Sequence, residues 1–132
     1  MDKTIRIIAA VLAVVVVASI GFLVYSNPSA QNTGGDSAGT IYFFYGEGCP
    51  ACHYVMPFVI NMTKKYPEAD IQVLEVWYNQ TNQQRYQEVT AAAGVTRLSV
   101  PQVVYGKTVL VGAVEIPEKM ESLIWDHLKK KA

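Results

Sequence analysis

The sequence predicts an α/β domain over residues 40–132, behind an apolar N-terminal segment. Two observations predict this fold class. From Thr40 onward, strand-like and helix-like runs alternate with no internal repeat. About half of the residues in this part are apolar, which is the usual proportion for a globular fold. The expected order of elements is β-α-β-α-β-β-α.

The N-terminal segment predicts a membrane anchor over residues 1–25. Residues 7–25 contain 17 apolar residues out of 19 and no charged residue. A helix of this length spans roughly 28 Å, close to the roughly 30 Å of a bilayer's hydrocarbon core. The alternative is a cleaved signal peptide, whose apolar region is typically about 7–15 residues long and ends at small residues. The best cut, after Ala30, places Pro28 where a small residue is needed, and this favours the uncleaved anchor.

The charges around the anchor predict its orientation. Lys3 and Arg6 precede it, and the next basic residue is Lys64. The positive-inside rule then predicts a single-pass protein of the cell membrane, with the N-terminus in the cytoplasm and residues 40–132 outside it. Residues 26–39 are rich in Gly, Ser and Asn, which predicts a flexible linker with a reach of roughly 20 Å.

The charge balance argues against binding to nucleic acid. The chain has 11 basic and 11 acidic residues, and residues 40–132 contain nine of each. A nucleic-acid-binding domain normally has a basic excess. We therefore expect no nucleic-acid partner.

The first strand and helix are predicted on either side of a short glycine loop. Ile41–Tyr45 is β-branched and aromatic and stops at Gly46, which predicts a buried strand. A helix should follow from about Pro50 to Lys65, because proline suits the first helical position and apolar residues recur at helical spacing. Those apolar residues are Val55, Phe58, Val59 and Met62.

The remaining elements are predicted from the same patterns. Ile71–Trp77 should form a strand, and residues 79–94 a second helix that ends at Gly94. Two further strands, Val103–Tyr105 and Thr108–Val111, flank a Gly-Lys pair and predict a β-hairpin. The last helix should begin near Pro117 and end in the lysines 129–131, which suit the negative end of a helix dipole.

Both cysteines of the chain belong to one motif, Cys49-Pro50-Ala51-Cys52. Cys49 follows the first strand and begins a helix, where free N–H groups and the helix dipole favour a thiolate. A thiolate is the attacking species in disulfide exchange, and Cys52, one turn later, can resolve a mixed disulfide. A purely structural bridge between these residues would close almost no loop and so would stabilise the fold little.

With this motif, the chain resembles the thioredoxin superfamily over nearly all of residues 40–132. That superfamily places a C-x-x-C at the head of its first helix, opposite a cis-proline, which would be Pro101 here. Gly94-Val95 and Val111-Gly112-Ala113 match further turns of the family. The resemblance implies a thioredoxin-like fold with a central mixed sheet flanked by helices. It also implies a redox-active Cys49–Cys52 disulfide and a Val100 backbone that pairs with an extended substrate.

The sequence also departs from thioredoxins, in ways that bear on its redox role. Phe43 and Gly48 stand where thioredoxins have a buried Asp and a Trp, so the proton relay of those proteins is not transferable. Glu47 is a candidate to assist proton transfer, although a carboxylate in a loop is more often simply exposed. His53 is a candidate modulator of the pair. The Pro50 and Ala51 between the cysteines match neither thioredoxins nor strong periplasmic oxidants. We expect an intermediate redox potential, which leaves the oxidant, reductant and isomerase roles open.

Two alternative functions involve bound groups. Cys49 to His53 is also a literal C-x-x-C-H, the attachment motif of c-type haem, with His53 as one axial ligand. Candidate second ligands are Met56, Met62 and Met120. A Cu(I) carrier could use both thiolates and His53, and also His127 if the fold brought it near. As part of an amphipathic helix, His127 is expected at the surface instead. The α/β pattern favours neither, so we expect no metal and no cofactor.

The expected function is therefore a membrane-tethered thiol–disulfide oxidoreductase acting outside the cytoplasm. Cys49 is the nucleophile and Cys52 the resolving cysteine. The partners are protein thiols or disulfides, such as secreted proteins or clients of cytochrome maturation. Because the chain has no second C-x-x-C to pass electrons along, a separate redox partner, expected in the membrane, must recharge the pair.

Overall fold

A computed structural model of the chain describes residues 3–4, 7–12 and 39–132. Residues 3–4 and 7–12 are helical. Within the described ranges, no helix is both long enough and apolar enough to cross a bilayer. Most of the predicted anchor and nearly all of the predicted linker lie outside the described residues, so both stay predictions.

The domain has the predicted order of elements. The strands are β1 (Ile41–Tyr45), β2 (Ile71–Glu75), β3 (Gln102–Tyr105) and β4 (Thr108–Val111), and the helices are α1 (Pro50–Lys65), α2 (Gln80–Ala92) and α3 (Gly112–Lys131). The hairpin of β3 and β4 is confirmed. The second strand ends at Glu75, two residues before its predicted end, because the chain turns there around the Glu75 carboxylate.

The four strands form one mixed sheet in the order β2-β1-β3-β4. β1 pairs in parallel with β2 and antiparallel with β3, and β3 pairs antiparallel with β4. The parallel pair is connected through α1, as in a βαβ unit. With helices on its faces, this sheet gives an α/β thioredoxin-like fold, as predicted.

Alternate residues of β1 face two separate cores. Ile41 and Phe43 point into the larger core, beneath α1 and α3, whereas Tyr42 and Phe44 point into a smaller one beneath α2. This is the period of two that a strand buried on both faces requires. The sheet therefore supports both the helix that begins at Cys49 and the helix on the opposite face.

The last helix begins at Gly112, five residues earlier than predicted, and Pro117 lies inside it. Gly112 has φ +89°, a conformation that favours glycine, and it turns the chain sharply out of β4. The Glu115 carboxylate then accepts the N–H of Val111 at 2.9 Å, which satisfies a backbone donor at the helix start. The prediction was wrong because it placed the helix start at the proline and overlooked Glu115, the acidic residue in the first turn.

Candidate active site

The two cysteines lie at the junction of β1 and α1. They are joined by a disulfide, with their Cα atoms 5.2 Å apart. Cys49 is the N-cap of α1, and its N–H donates to the Gly46 carbonyl at 3.1 Å. A tight turn between strand and helix therefore fixes the sulfur of Cys49 at the carboxyl end of the sheet.

The two sulfurs differ in accessibility. Cys49 is 6% exposed, whereas Cys52 is completely buried. The backbone N–H of Cys52 donates to Cys49 Sγ at 3.1 Å. A donor in this position, at a helix N-terminus, stabilises negative charge on Cys49 when the pair is reduced. Cys49 is therefore the less buried of the two cysteines and the better thiolate.

The segment before β3 lies against Cys49. The Val100 carbonyl oxygen is 3.9 Å from Cys49 Sγ, and Val100 is half-buried. The Val100–Pro101 peptide bond is cis, the isomer that the family resemblance implies. The buried Pro101 accepts a hydrogen bond from the Gly112 N–H at 3.0 Å. This bond ties the segment to the start of α3.

Tyr86 of α2 holds the same segment from the other side. Its hydroxyl donates to the Ser99 carbonyl and accepts from the Ser99 N–H, both at 2.9 Å. Burial raises the pKa of Tyr86, although the Ser99 hydrogen bond opposes this shift, so the hydroxyl stays protonated and can donate. Tyr86 thus positions the residue next to Val100.

Glu75 ties together two loops at the disulfide end. Its carboxylate accepts the backbone N–H groups of Trp77, Tyr78 and Asn79 at 2.8–3.0 Å. It also accepts the N–H of Glu47, from the loop before Cys49, at 3.4 Å. Desolvation alone would raise the pKa of Glu75, but the backbone hydrogen bonds outweigh it and lower the pKa.

Trp77 covers the loop that leads to Cys49. A Cβ atom at Gly46 would lie 2.3 Å from the indole ring, and one at Gly48 would lie 3.4 Å from it. With the indole in this position, only glycine fits at residue 46. The ring remains 49% exposed and presents an apolar surface beside the disulfide loop. An indole thus covers Gly48, the residue that replaces the Trp of thioredoxins, but it comes from the loop after β2.

A groove of about 410 Å³ opens next to Val100. It lies between the loop after β2, helix α2 and the segment before Pro101. The residues that line it are Val76, Trp77, Gln83, Tyr86, Gln87, Leu98, Ser99 and Val100. Apolar side chains are thus available to an extended chain that approaches Cys49 along this groove.

The other predicted site residues are exposed around the disulfide. Pro50 and Ala51 form the exposed first turn of α1. A ring nitrogen of the exposed His53 contacts the backbone carbonyl of Glu47. His53 therefore interacts with the backbone of the loop before Cys49.

Of the candidate ligands of the two alternative functions, only His53 and the half-buried Met56 lie in the same helix as the cysteines. His127 is 3% exposed and packs edge-on against Tyr105, so its interpretation as a surface residue was wrong. The apolar face of α3 continues to its last turn, which buries the ring. Met62 and Met120 are buried in the larger core and cannot reach an iron held at the cysteines without opening that core. Among the described residues, no three Cys, His, Asp or Glu side chains converge as a metal site would require.

Sequence reasoning missed three residues that shape the site. Tyr86 was expected only as part of the second helix, and Glu75 and Trp77 only as part of the second strand. One signal was available for Glu75, since a carboxylate that ends a strand can accept the free N–H groups of the following turn. No local signal points from Tyr86 to Ser99 or from Trp77 to Gly46.

The comparisons with known proteins concern structure only. No family model matches the sequence, and no curated protein matches it either. Among solved structures, glutaredoxin C1 from Populus tremula × tremuloides is 21% identical, with a TM-score of 0.47, over 70% of this chain and 81% of that chain. Fasciola hepatica thioredoxin is 20% identical, with a TM-score of 0.48, over 74% of this chain and 89% of its own.

A third solved structure is similar at the same level. The glutaredoxin from Archaeoglobus fulgidus is 21% identical, with a TM-score of 0.45, over 75% of this chain and 97% of its own. The fold described above rests on strand order, strand direction and connections within this chain.

Proposed function

We propose that this protein is a membrane-tethered thiol–disulfide oxidoreductase that acts outside the cytoplasm through Cys49 and Cys52. The observation that carries the proposal is the disulfide at the start of α1, where Cys49 keeps 6% exposure and Cys52 is completely buried. A disulfide that spans three residues closes almost no loop, so a stabilising role explains it poorly. A redox role explains both its place and its unequal exposure.

In the oxidising direction, a substrate thiolate attacks Cys49 Sγ. The bond to Cys52 breaks, and Cys52 leaves as a thiolate that takes up a proton from water. A second substrate thiolate then attacks the substrate sulfur of the mixed disulfide, and Cys49 leaves as a thiolate that the Cys52 N–H stabilises. Two electrons pass from the substrate to the pair, and the reverse sequence reduces a substrate disulfide.

The substrate segment is proposed to lie along Val100 in an extended conformation. The Val100 carbonyl borders Cys49 Sγ, and the groove beside it offers the apolar surface of Trp77 and Leu98. Backbone pairing selects an extended chain without selecting its sequence, while the groove favours an apolar side chain near the reacting sulfur. This fits protein thiols or disulfides as substrates.

The tether and the recharging partner are part of the proposal. The apolar run of residues 7–25 and the basic residues before it favour a single span, with the domain outside the cytoplasm. The chain has two cysteines, so a separate redox protein must return the pair to its working state. A membrane-bound partner would be held close by the tether.

Trapping of mixed disulfides tests this proposal. Cys49→Ser should abolish exchange with a protein disulfide substrate, because the attacking sulfur is lost. In Cys52→Ser, the Cys49 thiolate attacks the substrate disulfide and one substrate sulfur leaves as a thiolate. The mixed disulfide through Cys49 should then accumulate, because the resolving sulfur is lost, and mass spectrometry of the full chain after acid quenching detects it. The two variants are controls for each other, since each removes one sulfur. Retained turnover in Cys49→Ser, or trapping through Cys52, would contradict the assignment.

A further inference from the structure

The end of the domain opposite the disulfide is rich in lysine. α1 begins at Cys49, and α3 begins where Gly112 bonds to Pro101, so both helices run away from the disulfide. Their last turns therefore lie at the same far end. Lys64 and Lys65 end α1, and Lys129, Lys130 and Lys131 end α3, all five of them exposed. These five residues are named the lysine end.

The chain that precedes the domain enters at this end. β1 runs from Ile41 toward the disulfide, so Thr40 lies at the opposite end of the sheet. The Thr40 hydroxyl donates to the Asp70 carboxylate at 2.5 Å, and the Ile41 N–H donates to the Asp70 carbonyl at 2.8 Å. Two residues before Asp70, the Glu68 carbonyl accepts a hydrogen bond from Lys131 Nζ at 3.1 Å. The point of entry therefore adjoins the lysine end.

An exposed tryptophan lies within the same surface. Trp125 is 51% exposed and packs edge-on against Tyr66, the C-cap of α1, with 5.8 Å between ring centroids. It lies one turn before Lys129. Tryptophan beside lysine is the combination that favours the headgroup region of a bilayer.

Acidic residues lie at both ends of the domain. Glu47, Glu75 and Glu115 lie at the disulfide end, around the loops and the helix start described above. At the lysine end, Glu121 forms an ion pair with Lys65 at 2.6 Å. Three further carboxylates lie near this end, those of Glu68, Asp70 and Asp126. The five lysines therefore give this end only a small basic excess, most of it in the three consecutive lysines of α3.

We propose that the lysine end, together with Trp125, docks on the headgroups of an anionic bilayer and points the disulfide away from the membrane. This inference rests on the tether of the proposed function. A linker with a reach of roughly 20 Å keeps the lysine end near the surface, so a weak attraction is sufficient. A membrane-bound recharging partner must then present its cysteines above the bilayer surface.

The two tryptophans of the chain report separately on the two ends. The full chain is placed in lipid nanodiscs with brominated acyl chains, which quench a tryptophan close to the bilayer. Trp77→Phe leaves Trp125 as the only probe, and Trp125→Phe leaves Trp77. In anionic lipid at low salt, we expect quenching of Trp125 and none of Trp77. At 1 M salt, where the Debye length is about 3 Å, quenching of Trp125 should fall to its level in zwitterionic lipid.

Charge variants in the Trp77→Phe background locate the surface. Replacing Lys129, Lys130 and Lys131 with Gln should weaken docking about a hundredfold, because each lysine near an anionic surface contributes to the attraction. The matched control replaces Arg85, Arg97 and Lys119 with Gln, which removes the same charge elsewhere and should leave the quenching unchanged. Asp126→Asn, next to Trp125, should strengthen docking.

Three outcomes would overturn the inference: equal quenching of Trp125 in anionic and zwitterionic lipid, equal loss in the two triple variants, or quenching of Trp77. A failure of the tether is distinguishable from these. If alkaline carbonate releases the full chain from the bilayer, the tether is wrong. In that case, anionic vesicles with brominated acyl chains are added to the same protein. Salt-dependent quenching of Trp125 then decides whether the lysine end binds the bilayer.

Discussion

The two faces of the sheet are covered very differently. α1 and α3 cover one face with a core of fourteen buried residues, whereas α2 alone covers the other with six. We name the face with the larger core the thick face and the other the thin face. The helix that begins at Cys49 covers the thick face, and the groove beside Val100 opens over the thin face. The nucleophile is therefore supported by extensive packing, while the surface for the substrate is held by a few hydrogen bonds.

This difference separates stability from recognition. Burial of apolar surface is the main stabilising contribution, so the thick face should determine the free energy of unfolding. The thin face, with Tyr86, Glu75 and Trp77 at its edge, should determine how the substrate is positioned. Substitutions on the thick face should then change mainly the free energy of unfolding, and substitutions on the thin face mainly the KM for the substrate.

The largest expected effect is on stability, from the thick face. Ile124→Ala in α3 should lower the free energy of unfolding by about 2–5 kcal/mol, because it leaves a cavity in the larger core. Val89→Ala in α2 should cost roughly half as much. Thermal unfolding of the full chain in detergent measures both. An equal or larger loss for Val89→Ala would contradict the unequal contribution of the two faces.

The next effect should appear both in the free energy of unfolding and in the KM. Tyr86→Phe removes the two hydrogen bonds to Ser99, which should cost about 1–2 kcal/mol of stability and raise the KM for a protein substrate. Tyr42→Phe is the matched control, since it removes a hydroxyl from the same face that bonds to none of the described residues. If both variants raise the KM equally, the bonds to Ser99 do not position the substrate segment.

A smaller effect should be confined to recognition. Trp77→Ala removes the apolar wall of the groove and the cover of Gly46, so the KM should rise about tenfold with little change in kcat. Ile60→Ala removes an exposed apolar side chain of α1 outside the groove lining and should leave the KM unchanged. A fall in kcat alone would place Trp77 in the chemistry of exchange instead of in binding.

The smallest effect should depend on pH. The pKa of Glu75 is lowered in the folded protein, so its carboxylate stabilises the fold above the unfolded pKa of about 4.5, and this contribution is lost as the pH falls through the folded pKa. Glu75→Gln should therefore be less stable than the wild type at pH 7, and the difference should vanish in acid. Glu68→Gln, which removes another carboxylate, is the control. A difference independent of pH would contradict the role of the charge.

The parts of the fold that local patterns determine were predictable. The strands around Phe43 and Val104 and the hairpin follow from short runs of apolar residues and a glycine turn, and the place of Cys49 follows from the strand before it and Pro50 after it. The start of the last helix was predicted wrongly, because a proline inside a helix was taken for its beginning.

The contacts that shape the site depend on tertiary structure. Glu75 reaches the Glu47 backbone across 28 residues, and Tyr86 reaches Ser99 across 13. No periodicity or spacing specifies such pairs, since each requires that two loops meet at the same edge of the sheet. The burial of His127 was missed for the same reason, because it depends on Tyr105 of a distant strand.

The midpoint potential of the Cys49–Cys52 pair in the full chain tests the central claim most directly. The chain is equilibrated in thiol–disulfide buffers, and the reduced fraction is read by alkylation and mass spectrometry. We expect a two-electron couple between about −270 and −120 mV, the values of thioredoxin and of a strong disulfide donor. A pair that stays oxidised below roughly −300 mV would be a structural disulfide and would contradict the account.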